Sequence, residues 1–523
     1  MEGHNNVCND SVNSDEQVRL AFENWSLKDD YQLYSNPGDN SSKLPKPGQR
    51  NVLITSALPY VNNVPHLGNL IGSTLSSDVF ARYSRLRGWN TLFLCGTDEY
   101  GTATETKAIK EGVTPQEICD KYNEIHSNVY KWFNVSFDYF GRTTTQEQTQ
   151  ISQDIFWKVY NNGYIIEDEI QQLFCVGCQR FLADRFVTGI CPFCTYPDAR
   201  GDQCDDCGKL INATELKQPK CALCSGNPEL RTTKHLFLDL PKLQPKIESW
   251  LEDLVEKQGN DWSQNAKGIA NSWLKEGLKP RCITRDLKWG TPVPLQGYEN
   301  KVFYVWYDAP IGYPSITAHH NPNWEKWWKN PKEVELFQFM GKDNVPFHSI
   351  IFPACELATG DNWTIIRHLY ATEYLNYEDD KFSKSRGVGV FGDDAKHTAI
   401  PSDIWRFYLV FIRPESQDST FSWNDLLVKN NTELLNNLGN FINRCLVFVS
   451  KNFDGVIPEL KLNQADKELL VQVNNEINNY IECLDKVKLR EGIRIILNIS
   501  RLGNHHIQEN KPWELVKGDE NAK

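Results

Sequence analysis

The 523-residue chain contains no run of about eighteen consecutive apolar residues, which leaves no candidate for a membrane-spanning helix. Its first fifty residues show neither a charged-then-apolar leader pattern nor Arg-rich, acid-poor transit character. Glu2, Asp10, Asp15, Glu16, Glu23, Asp29 and Asp30 stand there instead, among many Asn and Ser. Residues 1–48 therefore read as a poorly ordered acidic and polar extension. Cytosol is the expected compartment, and no membrane partner is expected. Excess positive charge is also lacking. A net charge of −12 argues against a protein that coats nucleic acid indiscriminately, although a local basic track with shape recognition still allows an RNA partner. No internal repeat of fixed period is present, which sets solenoid architectures aside.

What is present describes a large globular chain: 40% hydrophobic residues with 12% aromatics over a length sufficient for several domains. From residue 50 apolar strand-like runs alternate with helical patterns, as in βα units around a parallel sheet. Strand-like Val52–Leu58 and Thr91–Cys95 lead this part, and Thr114-Pro115-Gln116-Glu117 is a capping box with Pro at the first helical position. Short strands, turns and cysteines occupy about 165–230. Strand-like text resumes at Lys301–Trp306 and Leu336–Gly341. From Ser422, read as a helix cap, the pattern is helical, with further helices over roughly 463–488 and 489–510.

Two short motifs carry nucleotide chemistry. His66-Leu67-Gly68-Asn69 follows the first apolar run and opens an amphipathic helix. A Gly at such a turn permits close backbone approach, and a helix N-terminus favours phosphate. About three hundred residues later, Lys381-Phe382-Ser383-Lys384-Ser385 places two ammonium groups in a small loop able to close on departing pyrophosphate. In an open α/β sheet, ligands lie beyond the carboxyl ends of the strands. Tyr60, His66 and Asp98 fall there.

Eight of the fifteen cysteines form four Cys-x-x-Cys pairs: Cys175/Cys178, Cys191/Cys194, Cys204/Cys207 and Cys221/Cys224. Each pair offers two thiolates from one tight knuckle, and two knuckles complete a tetrahedral zinc site. Two structural zinc ions are expected, since four thiolates leave no open position for a substrate. Three pairings are open. We favour the nested one, with 191/194 and 204/207 on one ion, because the nine-residue loop between those knuckles contains Pro197 and Gly201.

The two nucleotide motifs, in this order, resemble the HIGH and KMSKS motifs of class I aminoacyl-tRNA synthetases. Ala57-Leu58-Pro59-Tyr60, Cys191-Pro192-Phe193-Cys194, the run Phe303–Tyr313 and Gly341–His348 narrow the resemblance to the methionyl-tRNA synthetases of eukaryotic cytosolic type, from about residue 50 to the end. The isoleucyl, valyl, leucyl and cysteinyl enzymes share the two nucleotide motifs but not these aromatic runs. The resemblance implies a Rossmann-like α/β catalytic domain with a zinc-knuckle insertion, followed by an α-helical anticodon-binding bundle. It implies methionine activation with ATP and Mg²⁺, followed by transfer to tRNA(Met). His66, Asn69, Lys381 and Lys384 would be catalytic, and Gly68, Asp343 and Ser383 would join them around ATP. Leu58, Tyr60, Asp98, Trp306, Ala309, Pro310, Tyr313, Phe347 and His348 would form the methionine site, an aromatic-walled slot suited to a thioether. Asn440, Arg444 and Trp513 would read the anticodon.

On this reading 49–163 and 286–370 are the two halves of the catalytic sheet, 164–285 the insertion, 371–421 the connector bearing Lys381, and 422–523 the helical domain. Family members continue past the position of Trp513, so a shortened bundle is expected. Terminal regions would offer contacts to other synthetases or to a tRNA-binding scaffold protein.

Overall fold

The computed structural model describes residues 15–26, 43–182, 184–201, 204, 206–207, 209, 211–258, 261–378, 388–457, 459 and 461–517. They fall into two compact units. One comprises 36–406 with 414–419; the other comprises the first 35 residues, 407–413 and 420–523.

The 1–48 extension is not without structure. Helix α1 (Asp15–Ser26) forms in it and buries Ala21, packing on helix Gln464–Asp485 of the same unit. A small residue on one face lets two helices approach, which the acidic and polar composition concealed. Residues 1–14 and 27–42 lie outside the described residues.

The larger unit is built on a five-stranded parallel sheet. β1 (Asn51–Ser56) is fully buried at its centre and opens the HLGN motif, which continues into α2 (Leu67–Asn69), a π-helical turn over Leu70–Thr74, and α3 (Leu75–Leu86). β2 (Asn90–Thr97) pairs with β1, Leu92 opposite Leu53. After α4 (Thr102–Glu111) and α5 (Pro115–Trp132), β3 (Tyr139–Arg142) extends the sheet, and α6 (Gln146–Asn161) covers it. On the other side of β1 lie strand Val334–Gly341 and then strand His368–Thr372. β1, β2 and Val334–Gly341, largely buried, read as near-continuous apolar runs in the sequence, whereas the outer strands β3 and His368–Thr372 were not anticipated. The Thr114/Glu117 box is formed: Thr114 Oγ1 accepts from Glu117 N at 3.2 Å and Glu117 Oε2 from Thr114 N at 2.7 Å.

The expected strand Lys301–Trp306 is instead a two-residue strand, Val302–Phe303, followed by helix Val305–Asp308. Aromatic and β-branched residues favour strands only where a pleated partner exists; here Tyr304 turns the chain, and its aromatics pack against the sheet's core.

β4 (Ile165–Cys175) pairs antiparallel with Glu229–Leu238, and the cysteine knuckles sit beyond the end of this ribbon with a small core of their own, around Leu182, Phe186, Val187 and Leu216. The two helices that follow, Leu240–Gln258 and Gln264–Glu276, bury Leu243, Ile247, Ala266 and Ala270 in the same core as the parallel sheet.

In the smaller unit, helix Trp423–Lys429 begins after Ser422, whose side chain makes no capping bond. It runs through a ten-residue π-helical stretch, Asn430–Gly439, into Asn440–Asn452, and helices Gln464–Asp485 and Leu489–Asn510 pack against one another. No described helix is long and apolar enough to cross a membrane.

Candidate active site and metal knuckles

The carboxyl ends of four neighbouring strands open into one cleft of about 450 Å³. Ala57 and Leu58 follow β1, Asp98 follows β2, Gly341 ends its strand, and Thr372 ends the edge strand; all line the cleft. This is where a parallel α/β sheet exposes unpaired strand ends to a ligand. All nine residues anticipated for the methionine site, with His66, Gly68, Asn69 and Asp343, line it together.

His66 is the N-cap of α2. Its Nδ1 accepts from the amides of Gly68 at 3.0 Å and Asn69 at 3.3 Å, and Asn69 Oδ1 accepts from His66 N at 3.1 Å. Burial lowers the imidazole pKa to about 4, so the ring is neutral. With Nδ1 accepting, the proton of the neutral ring sits on Nε2. A Cβ at position 68 would stand 2.9 Å from the ring, so glycine is required there by His66 itself.

Asp98 is held by its amide on Pro59 O at 2.9 Å and by a bridge to Tyr60. Burial, then Asp308 and Glu99, push its carboxyl well above the usual carboxylate range. Glu99 has a cation in Arg142, 2.8 Å away. Burial raises Asp308 to about 7; Thr291 donates to one of its oxygens at 3.1 Å while the other has no hydrogen-bond partner among the described residues. Such a pair of acids, deep and with no cation among the described residues set against either carboxyl, suits a cationic ligand group.

The slot's wall is aromatic. Trp306 meets the edge of Phe347 at 5.0 Å between ring centres, with Tyr304 at 5.2 Å. His348 donates from Nδ1 to Asn344 O at 2.8 Å and accepts at Nε2 from the Tyr313 hydroxyl at 2.8 Å; burial lowers its pKa to about 4, so this polar pair carries no charge. Asp343 lies at the mouth, with Oδ1 accepting from Tyr374 at 2.6 Å.

Lys381, Ser383 and Lys384 lie outside the described residues. The chain on either side of their segment reaches the HLGN motif: Leu375 lines the cleft, Leu67 N donates to Val390 O at 3.4 Å, and Phe391 bridges to His66.

Sequence reasoning missed Asp308, Tyr374, His126 and Tyr130. The last two sit one turn apart on α5 and line the cleft; His126 bonds Asn63 O at 3.1 Å and the Tyr130 hydroxyl at 3.3 Å, tying α5 to the loop before His66. Their i, i+4 spacing is that of any apolar helix face, so no sequence signal marked them.

The eight knuckle thiols form two groups, Cys175/Cys178/Cys221/Cys224 and Cys191/Cys194/Cys204/Cys207, each with sulfurs within 4.8 Å of one another. Sulfur separations of 3.4 and 3.8 Å in the first group and 3.6 and 3.9 Å in the second bracket the roughly 3.8 Å edge of a tetrahedron with Zn–S near 2.3 Å. The grouping is the nested one, and both donor sets fit zinc.

In the helical unit, Arg444 donates to Gln508 at 3.2 Å and lies 5.3 Å over the Trp513 ring; both line a cleft of about 450 Å³ with Phe448, Ile507 and Pro512. Asn440, a turn before Arg444, bonds Asn504 at 3.3 Å and does not line that cleft.

Residues 52–446 match the family model described as tRNA synthetases class I (M). The chain belongs to this family. It is 63% identical to the cytoplasmic methionine–tRNA ligase of Xenopus laevis over 97% of its own length and 56% of that protein's, and 62% identical to that of Homo sapiens over the same shares. It thus spans a little over half the length of these relatives. Its fold is that of a Mycobacterium tuberculosis methionyl-tRNA synthetase in complex with methionyl-adenylate, with a TM-score of 0.72 at 23% identity, covering 90% of this chain and 86% of the other.

Proposed function

We propose that the chain is a methionine–tRNA ligase, activating methionine with ATP and passing the methionyl group to tRNA(Met) in the cytosol. The observation that carries this is the cleft into which four strand ends bring the HLGN motif, the buried Asp98 carboxyl and an aromatic slot. The high identity to cytoplasmic ligases over nearly the whole chain supports the same substrate.

In this reading the methionine α-ammonium pairs with Asp98, and the side chain enters between Trp306, Phe347, Ala309, Pro310 and Leu58, with Tyr60, Tyr313 and His348 closing the slot. The carboxylate, already ionised, attacks the α-phosphorus in line and needs no general base. Catalysis is then positioning and charge stabilisation. His66 offers its Nε2 proton to a phosphate oxygen, and Asn69 offers its amide. Asp343 takes a ribose hydroxyl, and Gly68 admits the nucleotide. Lys384, with Lys381, stabilises charge on the departing pyrophosphate, and Ser383 offers its hydroxyl to ATP, with Mg²⁺ bound through ATP's phosphates. In the second step a terminal ribose hydroxyl of the tRNA attacks the adenylate carbonyl and releases AMP. Arg444, Trp513 and Asn440 meet the anticodon. The knuckle cysteines hold zinc as a structural ion.

A non-catalytic scaffold with this fold would be expected to have lost His66, Asn69, Lys381 or Lys384, and all four are present. Amino-acid-dependent exchange of pyrophosphate into ATP, run across the standard amino acids, tests the proposal. Methionine alone should support exchange; a different amino acid doing so would overturn it.

A further inference from the structure

Tyr374 has no part in the reading above. It stands just past the edge strand at the mouth of the cleft, 43% exposed, and its hydroxyl donates to Asp343 Oδ1 at 2.6 Å. Everything else about the residue is fixed without that hydroxyl. Its amide donates to Asp418 Oδ1 at 2.9 Å, its carbonyl accepts from Ser419 N at 3.0 Å, and the Lys342 ammonium lies 4.0 Å over its ring. Lys342 is in turn held by Glu373 at 2.5 Å. A hydrogen bond at so exposed a position adds little to folding, because water competes for both partners. Its effect is directional: one oxygen of the Asp343 carboxylate is taken, and the group cannot swivel freely. Burial and the neighbouring Asp343 push the Tyr374 hydroxyl above the usual phenol range, so it remains a donor.

We propose that Tyr374 is a positioning residue for the nucleotide: by occupying Asp343 Oδ1 it aims Oδ2 at a ribose hydroxyl of bound ATP. The inference deepens the ATP part of the functional proposal and rests on it. Its specific consequence is discrimination at the sugar, since a carboxylate held in one orientation rewards a hydroxyl at one position.

The test is direct titration of the full chain and of Tyr374→Phe with ATP, 2′-deoxy-ATP and 3′-deoxy-ATP. The Phe variant keeps the ring, the Lys342 contact and both backbone bonds. It should bind ATP about five- to tenfold more weakly, the worth of one ordinary hydrogen bond. For one of the two deoxy analogues the variant and the parent should bind alike, because the hydroxyl that Asp343 would meet is missing. Unchanged ATP binding overturns the proposal. So does an equal loss for ATP and both analogues, which is what a merely structural tyrosine would give. Methionine-dependent exchange is scored separately: a chain that shows the sugar discrimination but activates no methionine supports this inference and sinks the substrate assignment instead. A parent chain that binds no ATP overturns both.

Discussion

His66 and Asn69 cap each other: the imidazole Nδ1 accepts the Asn69 amide at 3.3 Å while the Asn69 side-chain oxygen accepts the His66 amide at 3.1 Å. The reciprocity uses the Asn69 side-chain oxygen and backbone N–H and the His66 Nδ1, so the Asn69 side-chain NH2 and the His66 Nε2 take no part in the cap. Structural and chemical roles are thus separable by substitution. Asn69→Asp keeps the acceptor oxygen, so thermal melting should hardly move, yet exchange should fall on the order of 10²-fold, because a donor is lost and a negative charge meets phosphate. Asn69→Ala should also cost about 1 kcal/mol of stability through the cap. Full exchange activity in Asn69→Asp would remove Asn69 from the ATP site.

Asp98 supplies a pH prediction. Its carboxyl is held well above the ordinary range by burial, then by Asp308 and Glu99, so in the empty cleft it retains a proton to a higher pH than a surface carboxyl. Pairing with an α-ammonium favours the ionised form. Methionine binding should therefore release a proton, and affinity should rise with pH across the interval in which the empty site is still protonated. Calorimetric titration in two buffers of different ionisation enthalpy reads the proton directly. Heats independent of the buffer would mean that Asp98 is already ionised or does not meet the ammonium. In Asp98→Asn the proton release should vanish together with most of the affinity.

The parts of the site legible in the sequence are those whose chemistry is local. The HLGN turn, the Thr114/Glu117 cap and the cysteine knuckles each act within a few residues, so spacing alone reveals them. The buried strands β1 and β2 announced themselves through the apolar stretches Val52–Ile54 and Leu92–Cys95. What was not legible depends on tertiary placement. Tyr304 turns the chain where aromatic content suggested a strand, and Asp308 becomes an unusual acid only because it is buried. His126 and Tyr130 reach the cleft only because α5 passes behind the loop before His66. Nor does composition reveal that α1 has a partner helix within its own unit.

Elemental analysis should find about two zinc ions per chain, since two separate groups of four thiols stand at tetrahedral spacing. Replacing Cys191 and Cys194 by Ser should lose one ion and spare the Cys175/Cys178/Cys221/Cys224 site. The spared site closes the ribbon of β4 and Glu229–Leu238, so exchange activity should survive better after this change than after replacing Cys175 and Cys178. Loss of both ions from the first double substitution would show the two sites to be coupled.

Trp513 offers the sharpest separation of the two steps. Its ring is half-buried, lies under the Arg444 guanidinium at 5.3 Å, and lines an apolar cleft with Phe448 and Ile507. A ring already faced by a cation, with part of its surface open, is a stacking platform for an unpaired base. If an anticodon base stacks there, Trp513→Ala should weaken tRNA charging by roughly 5- to 150-fold, corresponding to about 1–3 kcal/mol. Methionine activation should be unaffected, because adenylate formation needs no tRNA. Trp513→Phe should recover part of the loss, since a smaller ring still stacks. The alternative is that Trp513 only packs the end of the bundle. Then Ala should lower the melting temperature of the helical unit, and tRNA charging should follow stability rather than ring size. Circular dichroism melting alongside charging kinetics distinguishes these: unchanged melting with lost charging supports recognition, and unchanged charging removes Trp513 from the tRNA interface.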